Sequence, residues 1–435
     1  MTKIAFVRSE ILPQQEPPVS SVGALGWARE NLFSNWFYSI LTLASIYFIY
    51  AFLNAILPWV ISPTWGAASL SECREILVAD GRSGHFGGAC WGIIRDRWVQ
   101  MVFGFYPSEL YWRPILTFVL LGVALAPVLF AEKVPAKLIY FSALYPFIMP
   151  WLLWGGSIWT PIGALAGFVI AWAVYGAVNR VVGSLAGIIV SVIAALVWWL
   201  LLMGIVTGAL ASVTPFLELE VVESRKFGGF MLSVTIGVVA IACSLPLGIV
   251  LALGRQSDLL IVKALCVGFI EFIRGVPLIT LLFVASVLLN IFLPPGTNFD
   301  IILRVLIMVT IFAAAYMAEV IRGGLAALPK GQYEGADSLG LNYWQAQRLI
   351  IMPQALKISI PGIVSTFIGV FKDTTLVSII GLLDPLGLSN GIRADSAWNG
   401  VVWELYGFIA LMFFVFCFGM SRYSMYLERK LKTSH

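Results

Sequence analysis

Residues 334–355 read EGADSLGLNYWQAQRLIIMPQA, a polar, helix-forming stretch inside a chain that is otherwise strongly apolar. The run KGQYEGADSL (330–339) consists of good helix formers, and Gly340 follows where a helix end calls for a left-handed residue. Asn342 is placed to cap a second helix, with Gln345 three positions on to complete a capping box. Pro353 is then expected to stop or redirect the chain. In the second helix Trp344, Leu349, Ile350 and Met352 offer an apolar surface, while Gln345, Gln347 and Arg348 stay polar. The stretch reads as a compact two-helix unit with something to bury, and its flanks decide the fold.

Those flanks belong in lipid. Of 435 residues 60% are hydrophobic and 11% charged, too little polar surface for a soluble protein of this size. A helix needs about 20 mostly apolar residues to cross a bilayer, and about ten windows qualify. They lie near 36–60, 114–131, 138–156, 161–178, 184–210, 229–253, 264–292, 302–321, 358–381 and 405–421, the fourth and ninth weakened by Gly, Pro or charge. The fold class is all-α, a polytopic transmembrane helical protein. Residues 1–34, with Lys3, Arg8 and Arg29, read as an uncleaved cytoplasmic N-terminus, because the long apolar span behind them lacks a small-residue cleavage pattern.

With that end inside, Lys133, Lys137, Arg180, Arg255, Lys263, Lys330, Arg348, Lys357 and the RKLK tail (429–432) also face the cytoplasm. The opposite side receives FLELEVVESRK (216–226), LPPGTNFD (293–300) and the 382–404 loop with Asp384, Asp395 and Glu404, all acidic or neutral. The net charge of +4 is dispersed over short loops and leaves no footprint for nucleic acid.

One outer loop departs from this pattern. Residues 62–112 carry Arg74, Arg82, Arg95 and Arg97, but loops this long weigh little in orientation. The loop also holds Cys73 and Cys90; a disulfide is allowed if it is periplasmic, and two free thiols are the other reading. Cys243, Cys266 and Cys417 fall in apolar segments as small hydrophobes. His85 and His435 are solitary, so no metal site is expected.

Charges inside apolar spans usually face a cavity or one another. Glu271 and Arg274 lie three apart on one helical face, read either as a mutual salt bridge or as a pair facing a zwitterionic substrate. FKDTTL puts Asp373, Thr374 and Thr375 beside Lys372 in the ninth span, as translocation-path or helix-packing residues. Glu319 and Arg322, again three apart, read as an interfacial ion pair. No internal repeat is evident, and composition shifts near residue 227, from Trp-, Ala- and Gly-rich spans to spans with charged ends.

The spacing of Glu334, Ala336, Gly340, Ile350 and Pro353 resembles the EAA loop of ABC importer permeases, with Gly335 where that family usually has its first Ala and Met352 where it has Leu. GGFMLSVTIGVVAIACSLPLGIVLALGR, FIEFIRGVPLITLLF, AAYMAEVIRGGLAALPKGQYEGADSLG and FKDTTLVSIIGLLDPLG look like successive segments of polar-amino-acid importer permeases, over residues 228–430. The resemblance implies a type I permease core of about five helices with a coupling loop at 328–356. In front of it stand the cytoplasmic 1–34 and a membrane extension at 35–227 of three to five helices, similar to the longer permease of heteromeric general amino-acid systems. It implies that Glu334, Gly335, Ala336, Gly340, Ile350 and Pro353 transmit the movement of two ATP-binding-cassette subunits. It further implies a second permease, with a heterodimer favoured, and a periplasmic amino-acid-binding protein, all in the lipid of a bacterial inner membrane.

The chain carries no G-x-x-x-x-G-K-[ST] phosphate loop, so ATP and Mg would belong to the partner ATPase, with no cofactor on this chain. An ion-coupled secondary transporter acting alone would predict inverted repeats with broken helices in both halves, which are not seen. A membrane enzyme would predict clustered His, Cys or carboxylates.

Overall fold

The computed structural model describes residues 23–82, 87–288, 291 and 299–431. His85, His435, most of LPPGTNFD and most of the polar N-terminus lie outside the described residues. By packing, the chain forms two units, Met1–Ile93 and Ile94–His435.

The first unit holds α1 (Gly23–Asn31), α2 (Trp36–Ile61) and α3 (Leu70–Ala79). Asn35 opens α2 by accepting from the Tyr38 N–H at 2.9 Å. No residue of α2 is buried; it is apolar all round, as a lipid-facing span must be. The loop behind it folds on itself through Thr64 N–H to Ala89 O and Gly92 N–H to Thr64 O. Cys73 and Cys90 form a disulfide there, Cα atoms 6.0 Å apart, in a small core with Ala67 and Leu77.

The second unit carries α4 (Gly92–Phe103) from Ile94 onward, α5 (Trp112–Leu129), α6 (Ile139–Trp154), α7 (Trp159–Val181), α8 (Ser184–Val197) and α9 (Met203–Val213). A two-residue antiparallel pair, β1 (Gly156–Ser157) and β2 (Glu218–Leu219), ties the ends of α6 and α9. Then follow α10 (Gly229–Arg255), α11 (Leu260–Gly275), α12 (Leu278–Phe283), α13 (Ile301–Ala326), α14 (Lys330–Ser338), α15 (Tyr343–Ala346), α16 (Met352–Asp373), α17 (Pro385–Arg393) and α18 (Trp403–Leu431).

Among the described residues nine helices are long and apolar enough to span a membrane, or ten if α11 and α12, bent by 100° at Val276–Pro277, count as one. Each of the ten windows read from hydropathy overlaps one of these helices or the bent pair among the described residues. The fourth is weakened in sequence by Gly, Pro or charge, and the structure shows the use of one glycine. A Cβ at Gly167 would lie 2.2 Å from the Trp199 indole nitrogen. The bare backbone admits that ring, whose Nε1 donates to Ala164 O at 3.1 Å.

In lipid, helices associate by close packing and interhelical hydrogen bonds, since the tails are as apolar as the side chains. The main core does this across the shift in composition near residue 227. Phe103, Tyr106, Tyr145, Met149 and Leu153 share one cluster with Phe227, Met231, Leu232 and Ile236 of the α10 region and with Ile302, Val305 and Val309 of α13. Tyr145 donates to Thr117 O at 3.0 Å and Tyr106 to Leu153 O at 2.8 Å. Gly104 (φ +67°) lies so close to Gly228 that an added Cβ would come within 2.4 Å of its Cα, and Gly229 N–H then bonds Leu383 O at 2.7 Å.

Candidate functional site

The helix pair at 328–356 is built as its capping residues require. The Asn342 side chain accepts from the Gln345 N–H at 2.9 Å, and the Gln345 side chain accepts from the Asn342 N–H at 3.1 Å. Gly340 takes φ +69°, with its N–H on Asp337 O, while Leu341 N–H reaches Ala336 O. α14 is pinned by Ala336, 1% exposed, and by Gln354 Nε2 donating to Gln332 Oε1 at 2.8 Å from α16. Glu334 lies exposed on the outer side of α14, and Gly335 has no heavy atom within 4 Å of where a Cβ would stand.

Two expectations are corrected here. Pro353 does not stop the chain, because a π turn over Gln347–Ile351 joins α15 to α16 and Pro353 falls in the first turn of α16. The π turn shifts the hydrogen-bond register by one residue, so the missing proline N–H and its ring are absorbed at a helix start. The same extra residue turns the buried face. Ile351 is fully buried and Gln347 nearly so, whereas Trp344 and Leu349 are 70% and 63% exposed. Together with Leu339 and Tyr343 they leave a polar loop presenting large bare side chains.

Beside this pair lies a charged cluster linking three helices. Arg255, ending α10, holds Glu271 of α11 at 2.9 Å and Glu319 of α13 at 2.6 Å. Arg322 meets Glu319 at 3.0 Å, the i,i+3 pair expected. Glu271 and Arg274 do not pair with each other: Arg274 stands 3.7 Å from Glu319 and 5.5 Å over the Tyr316 ring. α11 turns this face towards α10 and α13, whose charges lie across from it and outcompete the neighbour on its own helix. Arg274 Nε is buried with no partner among the described residues. In the sequence Arg255 is legible only as an Arg ending an apolar span, and its membership of this cluster is visible only in the fold.

Thr374 and Thr375 sit at the end of α16 and donate to Phe371 O at 2.8 Å and Lys372 O at 2.9 Å. Asp373 is half-buried beside them. No hydrogen bond or ion pair among the described residues joins this group to the Glu271–Arg274 cluster. On the opposite end of the bundle Asp384 caps α17, accepting from Leu386 and Gly387 N–H at 3.1 and 2.9 Å. Burial pushes its carboxyl up to about 6 in spite of those bonds. Nearby, Arg97 of α4 meets Asp395 at 2.6 Å and buried Trp398 donates to Asp96 at 3.1 Å.

Residues 244–433 match the family model described as binding-protein-dependent transport system inner membrane component. The chain is 58% identical to the glutamate/glutamine/aspartate/asparagine transport system permease protein BztC of Rhodobacter capsulatus, over 100% of both chains. It is 39% identical to the inner membrane amino-acid ABC transporter permease protein YhdY of Escherichia coli, over 100% of this chain and 99% of that one. Among solved structures, "Crystal structure of an amino acid ABC transporter with histidines" aligns at 30% identity with a TM-score of 0.42, covering 46% of this chain and 91% of the other.

Proposed function

The chain belongs to the amino-acid ABC transporter permeases, and from that premise we propose that it carries polar L-amino acids, such as glutamate, glutamine, aspartate and asparagine, from periplasm to cytoplasm by alternating access. Members of the family are transport subunits, and ATP is hydrolysed by a separate subunit. The relatives do not favour an ion-coupled transporter acting alone. In this reading residues 228–430 are the permease core and 35–227 its membrane extension, with both termini in the cytoplasm. A disulfide in the 62–112 loop suits the oxidising side of that topology.

The observation that carries the mechanism is the α14–α15 pair. It is braced by a capping box and a buried base, and it presents Leu339, Tyr343, Trp344 and Leu349 outward. Bare apolar side chains on a polar loop mark a protein contact, here for two ATP-binding-cassette subunits that hold ATP and Mg. Glu334, Gly335, Ala336, Gly340, Ile350 and Pro353 form the lever. A rigid element of this kind passes displacement into α13 and α16, which it joins.

Glu271 and Arg274, with Asp373, Thr374 and Thr375, line the substrate path. The cluster holds Arg255, Arg274 and Arg322 against Glu271 and Glu319, a surplus of one positive charge that suits a substrate carboxylate. A second permease completes the path as a heterodimer, and a periplasmic binding protein delivers substrate to the face containing residues 382–404. Reconstitution with these partners tests the proposal: uptake should require ATP and the binding protein. Uptake by the chain alone, driven by a proton or sodium gradient, would overturn it.

A further inference from the structure

We propose that Lys372 takes the backbone carboxylate of an amino acid midway along the translocation path, with Asp373 and the Thr375 hydroxyl taking its ammonium group. This deepens the transport reading and rests on it. Lys372 is exposed, and its side chain has neither ion pair nor hydrogen bond among the described residues. Asp373 beside it is half-buried and equally unpaired there. Both stand deep in the membrane. Phe371 packs on Phe413 and Phe416 of α18, with ring centroids 5.4 and 5.9 Å apart. Phe413 follows Trp403, the exposed aromatic that opens α18, by ten residues; at 1.5 Å per residue that is about 15 Å, half the hydrocarbon core. A charge at that depth is costly in lipid, and such residues face a partner group or a water-filled cavity.

The side of α16 that carries Lys372 is not built for lipid. Pro361, Ser365 and Lys372 are exposed along it, and a Cβ at Gly369 between them would meet no heavy atom within 4 Å. Spacings of four, four and three put these residues on one helical face. α2, which faces lipid, instead exposes Ile40, Leu43, Phe48 and Phe52. The charges identify the occupant. Lys372 offers three N–H donors to a carboxylate, and Asp373 accepts from an ammonium. Thr375 lies one turn beyond Lys372 and donates its hydroxyl proton to Lys372 O at 2.9 Å, so its oxygen lone pairs remain for an ammonium. One cation and one anion side by side sum to zero, as they do on a zwitterion. A simple anion would leave Asp373 uncompensated, and a simple cation would leave Lys372 so. The group recognised is common to every α-amino acid, so Lys372 selects for an amino acid and not for its side chain.

The first arm of the test is uptake in proteoliposomes containing the partner ATPase, second permease and binding protein. Lys372→Met keeps the length and removes the charge; it should lower uptake of L-glutamate and L-glutamine alike by about tenfold or more. Lys372→Arg should restore most of it. Unchanged uptake in the Met variant, or a loss confined to glutamate, would overturn the proposal. A parent protein that takes up nothing with ATP and binding protein overturns the transport reading instead, and the second arm then decides this one.

The second arm needs no transport. Gly369→Cys, with Cys243, Cys266 and Cys417 replaced by Ala, is exposed to a negatively charged methanethiosulfonate in the same assembly, held in nanodiscs without ATP. A thiol facing lipid or a neighbouring helix does not form the reactive thiolate. The expected result is labelling that excess L-glutamine slows and that L-glutamine amide, which lacks the carboxylate, does not. With Lys372→Met added, L-glutamine should no longer protect. No labelling would assign the face to lipid or to a partner helix, and protection that survives Lys372→Met would place the carboxylate elsewhere; either result contradicts the proposal.

Discussion

Two glycines five residues apart in the helix pair have different physical reasons to be there. Gly335 lies inside α14 with open space around its Cβ position and an ordinary φ, so Gly335→Ala should stabilise the protein by about 0.5–1 kcal/mol, seen as a higher midpoint in thermal unfolding. Gly340 at φ +69° is left-handed, so Gly340→Val should strain the turn by roughly 1–2 kcal/mol and lower that midpoint. Asp384 gives a pH signature. Its folded carboxyl titrates near 6 against an ordinary 3.8, so the folded state holds the proton more tightly. Its contribution to stability is therefore full below the ordinary value and is lost as pH rises towards 6. Asp384→Asn keeps a capping oxygen and should flatten that part of the stability profile; an unchanged slope between pH 4 and 6 would contradict the assignment. Gly340, Asn342 and Gln345 were legible in sequence because capping depends on residues within a few positions. The buried Ile351 was not, because a helical period counted from Trp344 cannot anticipate the residue that a π turn inserts.

At the scale of elements, the Glu319 cluster binds α10, α11 and α13 into one end of the bundle. Removing its central acid leaves guanidiniums facing one another, and a fully buried pair broken this way costs roughly 3–5 kcal/mol. Glu319 retains 17% of its side-chain exposure, so Glu319→Gln should cost less, about 2 kcal/mol. Adding Arg255→Met should recover part of the loss, which a double-mutant cycle on unfolding midpoints would read as coupling. Strict additivity would show that the contacts are independent. Periodicity made the individual charges visible, and it paired Glu319 with Arg322 through local spacing. It could not find the ion partners of Glu271 and Arg274, which lie on Arg255 and Glu319 and not on each other, since ion-pair choice depends on which helices cross nearby, and that information is not local.

For the whole molecule, the spans could be read from hydropathy because a bilayer demands long apolar helices whatever their arrangement. How the extension meets the core could not. In a soluble protein burial separates apolar from polar faces, but here Tyr145 and Met149 at a helix contact look like their lipid-facing neighbours in sequence. From residue 94 onward the extension is fastened at both ends of the bundle. Arg97 and Asp96 grip Asp395 and Trp398 at one end, while Glu132 meets Lys430 at 2.5 Å and Tyr423 donates to Leu129 O at 2.6 Å at the other. Arg97→Asp should therefore impair uptake, and the exchange Arg97→Asp with Asp395→Arg should restore much of it; equal loss in the single and the exchanged protein would assign the defect elsewhere. The most direct test of the central claim is the ratio of ATP hydrolysed to amino acid taken up in proteoliposomes holding the partner ATPase, second permease and binding protein. For Glu334→Ala the lever account predicts normal membrane insertion with uptake lost out of proportion to hydrolysis. Uptake and ratio equal to those of the parent protein would contradict it.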